Sequence, residues 1–479
     1  MRRVMKKIFL SIALVSLLAS CKDDFLDIKE EGEIEASTFF TTQQDAMNGT
    51  NAIYSFLRSW ENSAFPYQFV FGVPADDVIK GSNPGDASFI NEYDNFTYTV
   101  SNEGVRGYWI GQWQAVNRAN QVITKVPGIS MDNDLKNRLV AEAKMLRAYF
   151  YFNLVRIYGG VPIFDGLQSN YNIPRNSVDE VYNFIISDLT AAAAVLPQSY
   201  GAADLGRVTK GGALGMLAKV YLYKKDWQRA YDVSNQVIGM GYNLDPDFNH
   251  LFRPAGEFGS ESVFEVNCGC DPQLGQSAGS QYAEVQGVRN QFGWGFFTPS
   301  QALENAFEPG DIRKELTILR NGEITPEGDL IAMGDDQSVT TYNQKVYVPK
   351  ALNNSSCGYG SIQNIRILRF AEILLINAEA ANELGNTAAA VTNLNKVRNR
   401  AQLGVTTATT QTALRTAIWH ERRVELALEG DRFVDLVRTG QAATVLAPYG
   451  FKAGKNELFP IPLDAMLESN GLFTQNPGY

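Results

Sequence analysis

Two glutamates on the apolar side of one helix constrain this chain more than any other feature. From Thr412 to Gly440 it reads TALRTAIWHERRVELALEGDRFVDLVRTG. At about 100° per residue, Leu414, Ala417, Ile418, Val424 and Leu428 share one side of a helix, and Glu421 and Glu425 fall in the middle of it. Carboxylates on a core-facing stripe need partners. Arg422, Arg423, Arg432 and Arg438 are near in sequence, and arginines elsewhere compete with them. Gly430 fits the positive-φ position past a helix end, Asp431 fits the N-cap of a second short helix, and Gly440 fits its stop. Paired carboxylates also serve general acid–base chemistry. One turn apart and surrounded by arginines, they read instead as an ion network that fixes helix packing with both groups ionised.

The 479 residues are 45% hydrophobic and 20% charged, ample for a large core and long enough for two or three domains. The net charge is -10 with no long basic run, which argues against nucleic acid. His250 and His420 are the only histidines, too few for a His-based metal site or a Ser-His-Asp triad. No P-loop, nucleophile elbow or dinucleotide fingerprint occurs, and Gly293-Trp294-Gly295 is not GxGxxG. No cofactor or metal is expected.

The N-terminus, MRRVMKKIFLSIALVSLLASC, couples four basic residues to an apolar run too short to span a bilayer. Leu18-Ala19-Ser20-Cys21 resembles a lipoprotein processing site, with Cys21 lipidated, and Lys22-Asp23-Asp24 resembles the acidic tag that sends lipoproteins to the cell surface. The expected organisation is a signal peptide over 1–20, a lipidated tether over 21–42 and a single helical domain over 43–479. Three cysteines remain: Cys268 and Cys270 are too close to pair easily, and Cys357 with either is open. A site made of all three thiols is a weaker reading.

Helical periodicity runs through Ala46, Ile53, Leu57 and Trp60, and again from Val105 to Val126. The clearest run lies between Asp132 and Gly159-Gly160, with Leu135, Leu139, Leu146, Phe150, Leu154 and Ile157 on its buried side. Ser177-Val178-Asp179-Glu180 has the form of a capping box for a helix ending near Leu196-Pro197, and Thr209 starts another. LGMLAKVYLYKKDWQRAYDVSNQV from Leu214 aligns without gaps to LLINAEAANELGNTAAAVTNLNKV from Leu374. Leu214 matches Leu374, Ala218 matches Ala378 and Ala230 matches Ala390, as in tetratricopeptide-like helix pairs. The fold expected is mostly α: a tetratricopeptide-like helical-pair scaffold with a loop-rich insert and a few short strands.

Two stretches break the pattern, Glu61 to Glu103 and an insert over about 243–365. Ser262–Val266 and Lys345–Val348 alternate like strands. Aromatics lie beside Asn, Asp and Arg here. Aromatic faces stack on sugar C–H faces, while amides, carboxylates and guanidiniums bond hydroxyls. The ligand-binding residues expected are Trp60, Tyr67, Asp77 (with Asp76), Phe89, Asn91 and Tyr93 in the first stretch. Tyr282, Arg289, Trp294 and Tyr342 are those expected in the second.

ERRVELALEGDRFVDLVRTG resembles the C-terminal motif of the SusD/RagB family of outer-membrane nutrient-binding lipoproteins. AEAKMLRAYFYFNLVRIYGGVPIF, QFGWGFFTPSQALENAFEPGDIRKELTILR, ILRFAEILLINAEAANELG and the closing LFPIP and QNPGY resemble further family segments in the right order. The resemblance implies a non-enzymatic, outward-facing lipoprotein of the outer membrane. It would capture oligosaccharides and pass them to a SusC-like TonB-dependent transporter. Peptide cargo of the RagB type and a surface glycoside hydrolase are the alternatives.

Overall fold

The computed structural model describes residues 39–269, 279–289, 291, 293–332, 339–352 and 360–479. The expected lipidation site Cys21 and the thiols of Cys270 and Cys357 therefore fall outside the described residues, and so does the expected signal segment. Cys268 is a buried free thiol, which burial pushes up to about 12.

Helix α1, Gln43–Leu57, opens on a capping box: the Thr42 hydroxyl accepts from the Asp45 N–H at 3.2 Å, and the Asp45 carboxylate accepts from the Thr42 N–H at 2.8 Å. Helices α2 (Glu103–Lys125), α3 (Asn133–Tyr158) and α4 (Val178–Val195) follow. Asp132 caps α3 through the Leu135 N–H, and Ser177 with Glu180 forms the expected box on α4. From Leu139 onward α3 is buried on nearly every side. Each aliphatic or aromatic side chain it buries is worth about 1.5–3 kcal/mol. Its buried Arg147 is satisfied by a two-pronged pair with Asp188 on α4, at 2.7 and 2.9 Å.

The repeat read from sequence is a repeat in space. Helices α5 (Lys210–Tyr223) and α6 (Trp227–Ile238) match α7 (Phe370–Glu383) and α8 (Thr387–Arg400). Each pair turns through one positive-φ residue, Lys225 or Gly385. Each second helix is capped by the matched residue, Asp226 to the Arg229 N–H and Asn386 to the Ala389 N–H, both 3.2 Å. Ala218, Ala378, Ala230 and Ala390 are fully buried, so the paired helices approach closely. The second helix of the first pair, α6, packs on the first helix of the next, α7. Asn377 bonds Ser234 and Asn393 across that stack.

Because α6 and α7 are neighbours, the chain between them is an excursion that leaves the helical body and returns to it. Its neck is zipped by strands β2 (Ser262–Val266) and β6 (Ile365–Arg369), antiparallel, with Ser262 opposite Arg369 and Val266 opposite Ile365. Strands β1 (Val78–Gly81) and β3 (Phe296–Pro299) form a second ladder, and β4 (Ile318–Arg320) and β5 (Thr341–Asn343) a third. The strand expected over Lys345–Val348 is not one. Gln344–Val346 make a single 3-10 turn, because the Asn343 side chain caps the Lys345 N–H and ends β5.

Helix α9, Gln411–Glu425, buries both glutamates completely. Their partners come from far along the chain. Arg313 of the excursion lies 2.6 Å from Glu421 and 3.0 Å from Glu425, Arg369 at the end of β6 lies 2.9 Å from Glu425, and Arg398 on α8 lies 3.1 Å from Glu421. Arg400 on α8 also bonds Glu425. The network thus bolts the excursion to the helical body. Burial raises the Glu425 carboxyl, but Arg400, Arg369 and Arg313 outweigh it and hold the group well below the usual carboxylate range. For Glu421 burial wins over Arg313 and Arg398, and the shift is upward. Both glutamates are ion-paired as expected, but only Glu425 is strongly held ionised.

The arginines nearest in sequence bond elsewhere: Arg422 to Glu372, Arg423 to Asp77, Arg432 to Asp76 and Arg438 to Glu379. Gly430 and Gly440 take positive φ. Asp431 precedes α10 (Arg432–Arg438) without capping it. Its carboxylate is drawn instead to Lys219 and Arg156.

Candidate functional site

The two loop-rich stretches meet in space along the β1–β3 ladder, where Ile79 faces Thr298 and Gly81 faces Phe296. Gly81 has φ +67, and a Cβ there would lie 2.5 Å from the Gly295 carbonyl, so only glycine lets the strands close this tightly. The Gly295 carbonyl also accepts from the Ser82 N–H at 2.6 Å.

On this seam lies an aromatic row. Trp60 sits 5.2 Å from Phe65 and 6.1 Å from Trp294, and Phe65 lies edge-on to Trp294 at 5.8 Å. Phe65 leads to Phe69 at 5.6 Å, and Phe69 to Phe89 at 5.7 Å. The ends of the row reach solvent, with Trp60 37% and Phe89 44% exposed, while Phe69 in the middle is buried. Ile79 on β1 is exposed as well. Aromatic pairs at these separations hold each other in place.

Beside the row, Arg289 donates from Nη1 to the Ser82 hydroxyl and to the Asp86 carboxylate, both at 2.6 Å. The Ser82 hydroxyl and Arg289 hold Asp86 below the usual carboxylate range. Lys80 is buried and donates to the carbonyls of Asn83 at 2.7 Å and Asp86 at 2.8 Å, which fixes the turn carrying Ser82 and Asp86. Burial lowers the Lys80 ammonium from its ordinary value. It also raises the neighbouring Asp94 carboxyl to about 7, against the pull of the Lys80 N–H and ammonium.

The residues expected from sequence divide into three groups. Trp60, Trp294 and Arg289 are brought together, Phe89 is linked to them through Phe69 and Phe65, and Asn91 is exposed at the start of the short helix Asn91–Asp94 that follows Phe89. Tyr67 and Tyr282 are neighbours at 6.3 Å, but their hydroxyls are committed to the carbonyls of Glu429 and Leu428. They brace the connection from α9 to α10, where a Cβ on Gly430 would strike the Tyr67 hydroxyl at 2.1 Å.

Asp77, Tyr93 and Tyr342, expected to be open to a ligand, are instead buried. Asp77, with Asp76, is consumed by Arg423 and Arg432. Tyr93 stacks on Phe69 at 4.8 Å and bonds Asn102. Tyr342 packs with Val288, Leu319, Ile331, Val339 and Tyr347. Sequence reading missed Phe65, Ser82 and Asp86. The signal for the last two was the turn-rich KGSNPGD, read only as loop.

Among the described residues no group of three or more His, Cys, Asp or Glu side chains is placed to hold a metal, and no helix is long and apolar enough to cross a membrane.

The sequence model of the SusD family matches residues 260–457, and a second, described as starch-binding associating with outer membrane, matches residues 24–222. A laminarin-binding SusD-like protein of known structure is 31% identical, with a TM-score of 0.79, covering 92% of this chain and all of that one. SusD-like protein P2 of Formosa agariphila is 29% identical over 98% of both chains. Surface glycan-binding protein A of Bacteroides thetaiotaomicron, solved in complex with laminarihexaose, is 25% identical with a TM-score of 0.78, covering 91% of this chain and 100% of that one. Matched helix pairs, the excursion between them and similarity along nearly the whole length lead to one conclusion: this chain belongs to the SusD family.

Proposed function

We propose that this protein captures oligosaccharides at the outer cell surface, without cleaving them, and hands them to a SusC-like TonB-dependent transporter. The observation that carries the reading is the aromatic row joined to the Arg289–Asp86–Ser82 cluster where the two loop-rich stretches meet. Trp60, Trp294 and Phe89 offer ring surface, and Arg289 and Asp86 offer directional hydrogen bonds to hydroxyls. Relatives that bind laminarin or laminarihexaose make a neutral glucan the first ligand to test. The hydrolase reading loses its carboxylate pair, because Glu421 and Glu425 are buried among arginines.

The anchor belongs to the same reading: cleavage before Cys21, lipidation of that residue, a tether to about residue 42 and one domain beyond it. The motive is the basic start, the short apolar run and the Leu-Ala-Ser-Cys site. Titration of laminarihexaose into wild-type protein and the Trp60→Ala, Trp294→Ala double variant tests the site. Two stacking rings account for about 1–3 kcal/mol, so affinity should fall about 5- to 150-fold. Equal isotherms would reject it. Recovery of a TonB-dependent transporter with the protein from detergent-solubilised outer membranes tests the partner.

A further inference from the structure

A concave surface lies apart from the aromatic row and shares no lining residue with it. It is a trough of about 530 Å³, built from the α4–α5 connection, the chain after α6 and strand β2. That volume is within the range of small-molecule sites, commonly about 300–1,000 Å³. A side lobe of about 250 Å³ continues it past the shared wall Leu205-Gly206-Arg207 toward Asn51, Tyr54 and Arg58.

Four rings line the main lobe: Tyr200, Tyr242 and Phe258 are half-buried, and Phe264 is buried. They are held in place. Tyr200 donates its hydroxyl to the Val208 carbonyl at 3.1 Å and carries the Arg138 guanidinium 5.4 Å from its ring. Tyr242 lies roughly parallel to Phe370, with centroids 6.2 Å apart, and is seated where Gly211 has no side chain: a Cβ there would meet its hydroxyl at 2.1 Å. Gln198 ties the two walls together by donating to the Met240 carbonyl at 3.0 Å. Gly206 takes φ +91 beneath Phe258, and a Cβ on it would press on that ring at 3.2 Å.

The charges lining the main lobe are already matched. Arg207 is shared among Asp204, Glu142 and Asn51, and Glu265 faces Arg366. What the trough offers a visitor is ring surface with the exposed side chains of Ser199 and Ser260, which are neutral donors and acceptors. That combination fits a neutral polyhydroxylated chain and gives an ionic ligand nothing to pair with.

We propose that this trough is a second, independent binding site for a neutral oligosaccharide, with Tyr242, Phe258 and Tyr200 as its stacking surfaces. Two sites on one chain would let a single polysaccharide be gripped twice, which raises its residence at the surface beyond either site alone.

The test is calorimetry with laminarihexaose and maltoheptaose on full-length mature protein. The variants are Tyr242→Ala with Phe258→Ala, Ser260→Trp as a filling substitution at an exposed position, and Trp60→Ala with Trp294→Ala. Circular dichroism melting confirms that each variant is folded. The expected result is two sites per chain for at least one sugar in the wild type. Each trough variant should lose one site, or bind there at least tenfold more weakly, and the Trp60, Trp294 variant should keep the trough site. If both trough variants give wild-type isotherms, or neither sugar binds outside the aromatic row, the trough proposal is wrong and the row stands. If the trough variants abolish all binding and the Trp60, Trp294 variant changes nothing, the row fails and the trough stands. Absence of binding by both sugars rejects both sites.

Discussion

The Arg289 guanidinium lies 2.6 Å from the Asp86 carboxylate across 203 residues of sequence, and this pair joins the two loop-rich stretches beside Trp294. Both groups are partly exposed, so the pair adds little to stability. Asp86→Ala should therefore melt within a few degrees of wild type. It removes the carboxylate that, together with the Ser82 hydroxyl, orients Arg289, and glycan affinity should drop about tenfold. Calorimetry alongside thermal melting checks this, and a large loss of stability with unchanged affinity would make the pair purely structural.

Glu425 and Glu421 should respond unequally to substitution. Glu425→Ala strips a shared buried partner from Arg313, Arg369 and Arg400, which keep Asp311, Glu421, Glu261 and Glu429, at a cost of about 3–5 kcal/mol. Glu421→Gln should cost less, about 1–3 kcal/mol, because burial already pushes that carboxyl toward its neutral form. Urea denaturation of each variant measures the difference. Equal losses would contradict the asymmetry, and wild-type stability with lost binding would move the pair into the ligand site.

Asp94 gives a pH dependence with a definite sign. Its folded carboxyl titrates at about 7, above the ordinary carboxylate value that it regains on unfolding. Between those values the folded state holds a proton that the unfolded state has lost, so this group's contribution falls as pH rises toward 7 and is least favourable above it. Asp94→Asn should raise stability by about 1–2 kcal/mol at pH 8 and hardly change it near pH 4. Melting curves at the two pH values decide it; an equal gain at both would rule out a titration effect.

Cys21→Ala should release the protein from outer membranes into the soluble fraction. Fractionation in cells lacking the transporter, followed by immunoblotting, reads this directly. Continued sedimentation of the variant with the membrane would remove Cys21 as the anchor.

Local signals were legible in the sequence, and distant partners were not. The Ser177–Glu180 box, the helix starts near Asp132 and Thr209 and the Leu214/Leu374 repeat depend on residues a few positions apart, and the structure has them as read. The apolar stripe on α9 announced that Glu421 and Glu425 are buried, but nothing in the stripe named Arg313 or Arg369, which arrive through tertiary packing. Tyr93 and Tyr342 looked like exposed loop aromatics. Their burial is set by Phe69 and Tyr98 in one case and by Val288 and Leu319 in the other, neighbours that only the folded chain supplies. Asp431 had the right type and place for a cap, yet Lys219 and Arg156 compete for the same carboxylate and win.

The most direct test is calorimetry on a laminarin oligosaccharide series from monosaccharide to heptasaccharide, with wild type and the Trp60→Ala, Trp294→Ala variant. One stacking ring supplies only about 0.5–1.5 kcal/mol beyond its buried area. The monosaccharide should therefore bind barely at all, affinity should climb with length until the row from Trp60 to Phe89 is covered, and the variant should flatten that climb. Affinity that stays constant from monomer to heptamer, or a variant indistinguishable from wild type at every length, would contradict oligosaccharide capture at this site.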